Sequence, residues 1–261
     1  EVEKEKREIA AASAQGQEPP APTWRPGLEA WSPAGIYNAM IAPLTPQAIR
    51  GVIWYQGESD ASPERAPVYA RLFEATIREW RRAWGIGDFP FLFVQLANWT
   101  AGPGNAWPEL REAQRQTLAV ANTGMAVTID VGNPTDIHPR DKKTVGTRLA
   151  LAARALAYGE RIEHSGPLFR QAVPDGSALR VFFDHAEGLA TRGGAPVAGF
   201  EIAGKDGRYV PAEARIEGST VLVSSATVPA PHAVRYGWAD NPRVSLYNAA
   251  GLPASPFRSV E

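Results

Sequence analysis

Gly51-Val52-Ile53-Trp54-Tyr55-Gln56-Gly57-Glu58-Ser59-Asp60 runs β-branched and aromatic residues straight into a turn bearing an amide, a bare glycine backbone and two carboxylates. Residues 49–55 suit a short strand covered on both faces. Beyond it, Tyr69, Leu72, Phe73, Ile77, Trp80 and Trp84 recur at three-and-four spacing, which predicts a helix stopped by Gly85. Residues 91–97 form the next strand, Pro108 opens a helix through Ala121, and residues 125–129 form a third strand. Val145, Leu149, Ala152 and Leu156 stripe a last helix ended by Gly159. Strand, helix, strand, helix, strand, helix implies an α/β fold, a parallel sheet with helices on both faces.

After Gly159 the pattern changes. Residues 179–183, 199–202, 214–216, 220–224 and 233–237 are short strand candidates between Gly, Pro and Asp turns, a β-rich, sandwich-like appendage. Upstream, residues 1–15 favour a helix through Glu, Lys and Ala without a continuous apolar stripe, and Pro19, Pro20, Pro22 and Pro26 impose an extended linker to about Pro33. The expected domains are therefore 1–34, a charged helix and Pro-rich linker; 35–160, the α/β part; and 161–261, the β-rich domain.

The 261 residues are 44% hydrophobic, enough to fill such cores, with a formal net charge of -1. Interspersed charge leaves no basic field for nucleic acid or an anionic membrane, and no apolar run approaches the roughly 20 residues of a membrane span. There is no cysteine, which excludes disulfides, thiolate nucleophiles and zinc–thiolate sites. The four histidines, His138, His164, His185 and His232, lack the spacing of paired ligands, and no calcium or phosphate loop occurs, so neither metal nor cofactor is expected. Residues 1–17 carry no apolar core of the signal-peptide type, and the charged, Met-less start suggests a piece of a longer protein.

Ligands of open parallel sheets bind at the carboxyl ends of the strands. Gln56 to Asp60 leaves one such end and Asp130 to His138 another, so both loops reach one rim. His138 lies in a polar loop between Pro134 and Pro139, the placement a general base needs; the alternative is a surface or capping histidine. Asp136 could orient its ring or bind backbone amides in its own turn. Gln56 offers an amide and Gly57 an unobstructed N–H, donors for a developing oxyanion, unless Gly57 serves only a positive φ and Gln56 bridges backbone groups. Glu58 could orient Gln56 or a helix start, and Asp60 or Ser62 could cap the following helix. Ser59 lacks the glycine-flanked elbow of a nucleophile. Asn98, Trp99 and Trp107 follow the second strand, where aromatic rings could line a sugar-binding face or simply fill the core. Glu112 with Arg115 or Gln116 reads as a solvated helical pair.

Tyr37-Asn38-Ala39-Met40-Ile41-Ala42-Pro43-Leu44, Gly51 to Asp60, Leu110-Arg111-Glu112-Ala113-Gln114 and Asp136-Ile137-His138-Pro139 with Lys143 form an ordered set. With Gly237-Trp238-Ala239-Asp240-Asn241-Pro242 and Gly251-Leu252-Pro253-Ala254-Ser255-Pro256-Phe257-Arg258, the set resembles the sialate O-acetylesterase family of SGNH-type serine esterases. The resemblance implies an incomplete SGNH/flavodoxin-like three-layer sheet and a carbohydrate esterase that removes O-acetyl groups from sialic acid or related sugars through a serine/histidine acyl-enzyme. It also implies His138 as the catalytic base, oxyanion donors at Gln56 and Gly57, no cofactor, and an exported location, with Asp136 taken beside His138 from the loop itself as a candidate catalytic partner. Acetylxylan or other polysaccharide deacetylation, and a non-catalytic carbohydrate-binding relic, are the competing readings.

Two departures stand out. The family's early Gly-Gln-Ser-Asn-like nucleophile block is absent, and Ser13, in a charged helical stretch, does not replace it. The serine is therefore expected on an N-terminal fragment of the same precursor, which this chain would need for stability and turnover. The wider superfamily's acid, three residues before the histidine, is here Thr135; Asp136, Asp130, Glu58 or a backbone carbonyl could hold the ring instead.

Overall fold

The structure, a computed structural model, describes residues 2–20, 34–45 and 47–259. The stretch of the expected linker from 21 to 33 lies outside them. The chain divides into two compact units, Glu1–Ala48 and Ile49–Glu261.

In the first unit, α1 (Val2–Ala14) is a charged helix carrying a Lys6–Glu3 pair at 3.0 Å. Further on, Tyr37–Ile41 forms a wide π-type turn that tightens into a 3₁₀ turn at Ala42–Leu44.

The second unit opens with the expected alternation. Three parallel strands, β1 (Val52–Trp54), β2 (Phe91–Val94) and β3 (Thr123–Ala126), pair in the order β1-β2-β3, with Trp54 opposite Phe93 and Phe93 opposite Met125. Helices α2 (Ala66–Trp84), α3 (Trp107–Gln116) and α4 (Lys142–Leu156) connect and follow them. Strand alternation sends Phe91 and Phe93 to one face, where Trp54, Phe73 and Trp80 form an aromatic core with ring centroids 5.2–6.1 Å apart. Val94 and Ala126 point to the other face and pack on Val145 and Leu149 of α4, with Tyr55 against the same cluster. Helices thus lie on both faces.

Several expectations change. β1 is not covered on both faces: Ile53 is 69% exposed, because β1 is the edge strand and α4 lies over β2 and β3. β3 begins at Thr123, earlier than the apolar run suggests, with Gly124 tucked beneath Leu156 of α4. Neither Asp60 nor Ser62 caps α2; the chain makes another turn first, and the helix opens with a proline in its first turn.

The β-rich region comprises β4 (Leu168–Asp175), β5 (Ala178–Asp184), β6 (Ala190–Thr191), β7 (Phe200–Ala203), β8 (Tyr209–Pro211), β9 (Glu213–Glu217), β10 (Thr220–Ser224), β11 (Ala233–Tyr236), β12 (Leu246–Tyr247) and β13 (Phe257–Arg258). Two four-stranded antiparallel sheets, β4-β5-β10-β9 and β13-β11-β7-β8, meet in one core containing Val181, Val221, Ile202, Val234 and Phe257. This region belongs to the same compact unit as the α/β part. Arg111 of α3 binds them together: it is wholly buried and donates to the carbonyls of Leu96 (2.8 Å), Ala97 (2.7 Å), Ala239 (2.9 Å) and Asp240 (2.7 Å). Burial pushes its pKa down to about 9, so it remains a cation at neutral pH. Glu112 and Arg115, read from sequence as solvated, are a largely buried pair at 2.6 Å, with side-chain exposures of 7% and 16%, because β13 packs on α3.

Candidate functional site

The carboxyl edge of the sheet is assembled from the three loops that leave it. After β1, Gly57 turns the chain at φ 144°, a conformation side chains rarely adopt, and a Cβ there would lie 3.0 Å from Leu110 and 3.1 Å from Gln114. Gln56 is fixed at both ends of its side chain: Nε2 donates to Asp60 Oδ2 at 2.6 Å, and Oε1 accepts from the Tyr69 hydroxyl at 3.0 Å. Burial raises the Tyr69 pKa to about 12, which keeps it a neutral donor. The Gln56 amide is thus largely committed within the protein, whereas no hydrogen bond from the Gly57 N–H is found among the described residues. Asp60 holds Gln56, while Glu58 opens the 3₁₀ turn Glu58–Asp60. With burial as the larger cause, Glu58 helps raise the Tyr55 pKa to about 12.

After β2, Asn98 accepts from the Gly132 N–H at 2.8 Å and donates to Asn241 Oδ1 at 2.8 Å, joining the loop after β3 to the β-rich region. Gly132 must be glycine, since a Cβ would fall 1.9 Å from the Asn98 carbonyl. The Thr100 N–H donates to the Pro134 carbonyl at 3.1 Å, a second stitch between the two loops. Trp107 is 2% exposed, its indole N–H donates to Ala97 at 2.9 Å, and Trp99 lies against it at 5.1 Å. Its ring therefore fills the core and acts on the rim only by holding the backbone after β2.

After β3, the loop raises His138 into solvent with its side chain 87% exposed. Asp136 Oδ1 accepts the His138 backbone N–H at 2.9 Å and lies 3.6 Å from ring Nδ1, so it fixes the turn and faces the ring without a direct ring hydrogen bond. Asp130 is engaged elsewhere: Arg148 donates to both of its oxygens at 2.5 and 2.9 Å. On the α4 side of the sheet, Lys142 sits 5.1 Å over the Tyr55 ring, bringing the end of the histidine loop beside the end of β1.

Sequence reasoning left two of the rim's supports without a role. Gln114 donates to the carbonyls of Gln56 (3.2 Å) and Val94 (3.3 Å) and accepts the Leu96 N–H (2.9 Å), tying the ends of β1 and β2 together. Arg111 does the same between β2 and the β-rich region. The available signal was positional: both share the buried face of α3 with Trp107 and Leu110, where a polar side chain must find partners. Away from the rim, Glu163, His164 and His185 converge with donor atoms within 4.8 Å of one another. Linear spacing had given the histidines no ligand pairing; a 21-residue separation hides it.

Such a rim defines the class: an α/β domain with polar loops gathered at the carboxyl ends of a parallel sheet. The chain belongs to the family described as carbohydrate esterase, sialic acid-specific acetylesterase, whose pattern matches residues 15–155. It is 32% identical to the sialate O-acetylesterase of Mus musculus over 254 residues, covering 85% of this chain and 46% of that protein, and 33% identical to that of Rattus norvegicus over the same length and shares. The chain thus spans about half the length of these curated relatives. A crystal structure of a carbohydrate acetylesterase from Xanthomonas citri superposes with TM-score 0.85 at 48% identity, covering 90% of this chain and 58% of that one.

Proposed function

We propose that this chain is the histidine-bearing part of a carbohydrate esterase that removes O-acetyl groups from sialic acid or related sugars. One observation carries the reading: an exposed His138, with a carboxylate 3.6 Å from its ring, stands on the same sheet edge as the Gly57 turn. Family membership and the names of the relatives support the substrate class.

In the proposed reaction a serine hydroxyl attacks the acetyl carbonyl while His138 takes its proton. The tetrahedral oxyanion receives the Gly57 N–H, with Gln56 as a positioned neighbour. Collapse breaks the ester bond, the departing sugar hydroxyl takes the proton from the imidazolium, and water then releases acetate from the acetyl-serine with His138 again as base. Asp136 stabilises the imidazolium across the 3.6 Å gap.

The serine is proposed to come from another polypeptide segment of the same precursor, seated along the edge of β1. Supporting this are the exposed Ile53 and, on the other face of β1, a cleft of about 480 Å³ lined by Trp54, Gln56, Asp60, Tyr69, Leu72 and Phe73. Such a segment would complete the three-layer sheet, leaving α1 and the linker, the α/β part and the β-rich region as successive domains. The relative described as a carbohydrate acetylesterase favours a second reading, deacetylation of another acetylated saccharide.

The test is His138→Ala in the full-length protein, assayed on p-nitrophenyl acetate. Turnover falls roughly 10³-fold or more while circular dichroism is unchanged. Unaltered turnover eliminates His138 as the base. Fluorophosphonate labelling of the natural protein addresses the nucleophile, because a relic stays unlabelled.

A further inference from the structure

The structure assigns a divalent transition-metal site of the zinc type to Glu163, His164 and His185, in the β-rich region and apart from the rim. Two imidazoles and one carboxylate make the donor set that borderline cations prefer, and three protein ligands leave one tetrahedral position for water.

The ligands stand on a built frame. Glu163 Oε1 is aimed by the backbone N–H groups of His164 (2.8 Å) and Ser165 (3.2 Å) and meets His185 Nδ1 at 2.7 Å. The two rings stand edge to face with centroids 5.1 Å apart. His185 occupies the left-handed region at φ 56°, a conformation that spends local backbone energy to direct its ring back toward residue 163. Buried Asn248 locks both ligand segments by donating to the carbonyls of Ser165 (2.8 Å) and His185 (3.0 Å). Metal–ligand bonds of about 2.0–2.2 Å place tetrahedral donors roughly 3.4 Å apart. The donors already lie within 4.8 Å of one another, and a cation would enter between His185 Nδ1 and Glu163 Oε1.

A bound cation would fasten the segment leaving α4 to the turn after β5, a structural staple rather than part of ester hydrolysis.

The experiment is titration of the full chain with Co²⁺, followed by visible absorption, and with Zn²⁺, followed by calorimetry. One equivalent binds saturably with tetrahedral Co²⁺ bands. His164→Gln and His185→Asn each weaken binding roughly 10- to 100-fold, by analogy with the cost of disturbing a metal's supporting shell. Asparagine suits position 185 because it tolerates the left-handed backbone, so the variant folds. Glu163→Gln weakens binding less, and His232→Ala leaves it unchanged. Absence of saturable binding at millimolar metal, or binding that survives both histidine replacements, overturns the site and reduces the cluster to a Glu163–His185 ion pair. Neither outcome touches the esterase reading, which is tested on other residues.

Discussion

Replacing Arg111 by methionine is the sharpest probe of how the rim is held. The guanidinium donates to four carbonyls, and its removal does not orphan all of them. The Ala97 carbonyl keeps the Trp107 indole at 2.9 Å, and the Asp240 carbonyl keeps the Trp99 N–H at 3.3 Å. The Leu96 carbonyl is left buried without a donor, whereas Ala239 is exposed and its carbonyl can turn to water. One buried, unsatisfied acceptor at about 1–3 kcal/mol gives a net loss of about 2 kcal/mol. At roughly 2–4 °C per kcal/mol for a domain of this size, Tm falls by about 6 °C. Arg111→Lys keeps the charge but not the fork, so it recovers less than half of the loss. The assay is thermal unfolding followed by far-ultraviolet circular dichroism. A methionine variant melting within 1 °C of the parent, set against the roughly 6 °C expected from that per-kcal scale, would refute the claim that Arg111 ties the β-rich region to the sheet.

Gly57→Ala forces a side chain into a φ of 144° against Leu110 and Gln114; it costs about 2 kcal/mol in urea unfolding and, on the proposed mechanism, lowers turnover of p-nitrophenyl acetate by the full-length protein more than it raises KM. Asp130 supplies a pH test. Burial alone would raise its pKa, but bonding to Arg148 prevails and holds it below the ordinary aspartate value. Its folded-state pKa is thus depressed, and its stabilisation is full above the unfolded value near 4 and lost as pH falls through the folded one. Asp130→Asn therefore costs about 3 kcal/mol at pH 7 and flattens the decline of denaturant stability in acid; a variant retaining the parent's acid slope contradicts this. The loss of turnover in His138→Ala and the metal titration complete the set.

Much of the α/β part was legible because period and punctuation are local. The stripe from Tyr69 to Trp84 with Gly85 behind it predicted α2, and residues 220–224 predicted β10 to the residue. β4 was missed because its alternation is broken by a register shift between Phe169 and Gln171 and it carries a proline near its end. The candidate rim was legible where chemistry followed directly from a strand's end: the glycine turn after β1 and the polar loop of His138.

By itself the sequence determined the alternation of strand and helix in the α/β part and the loops that leave its strands, properties of residues within a few positions of each other, and the family, through short blocks read in order. Tertiary structure decided which polar groups are paired. Glu112 is buried rather than solvated because Arg258, 146 positions away, lies against it, and Asn98 braces two loops because its partner Asn241, 143 positions away, meets it. A periodic pattern says which face of an element avoids water. It says nothing of the distant donor or acceptor that a buried polar side chain on that face must meet, because that partner is chosen only when the layers close.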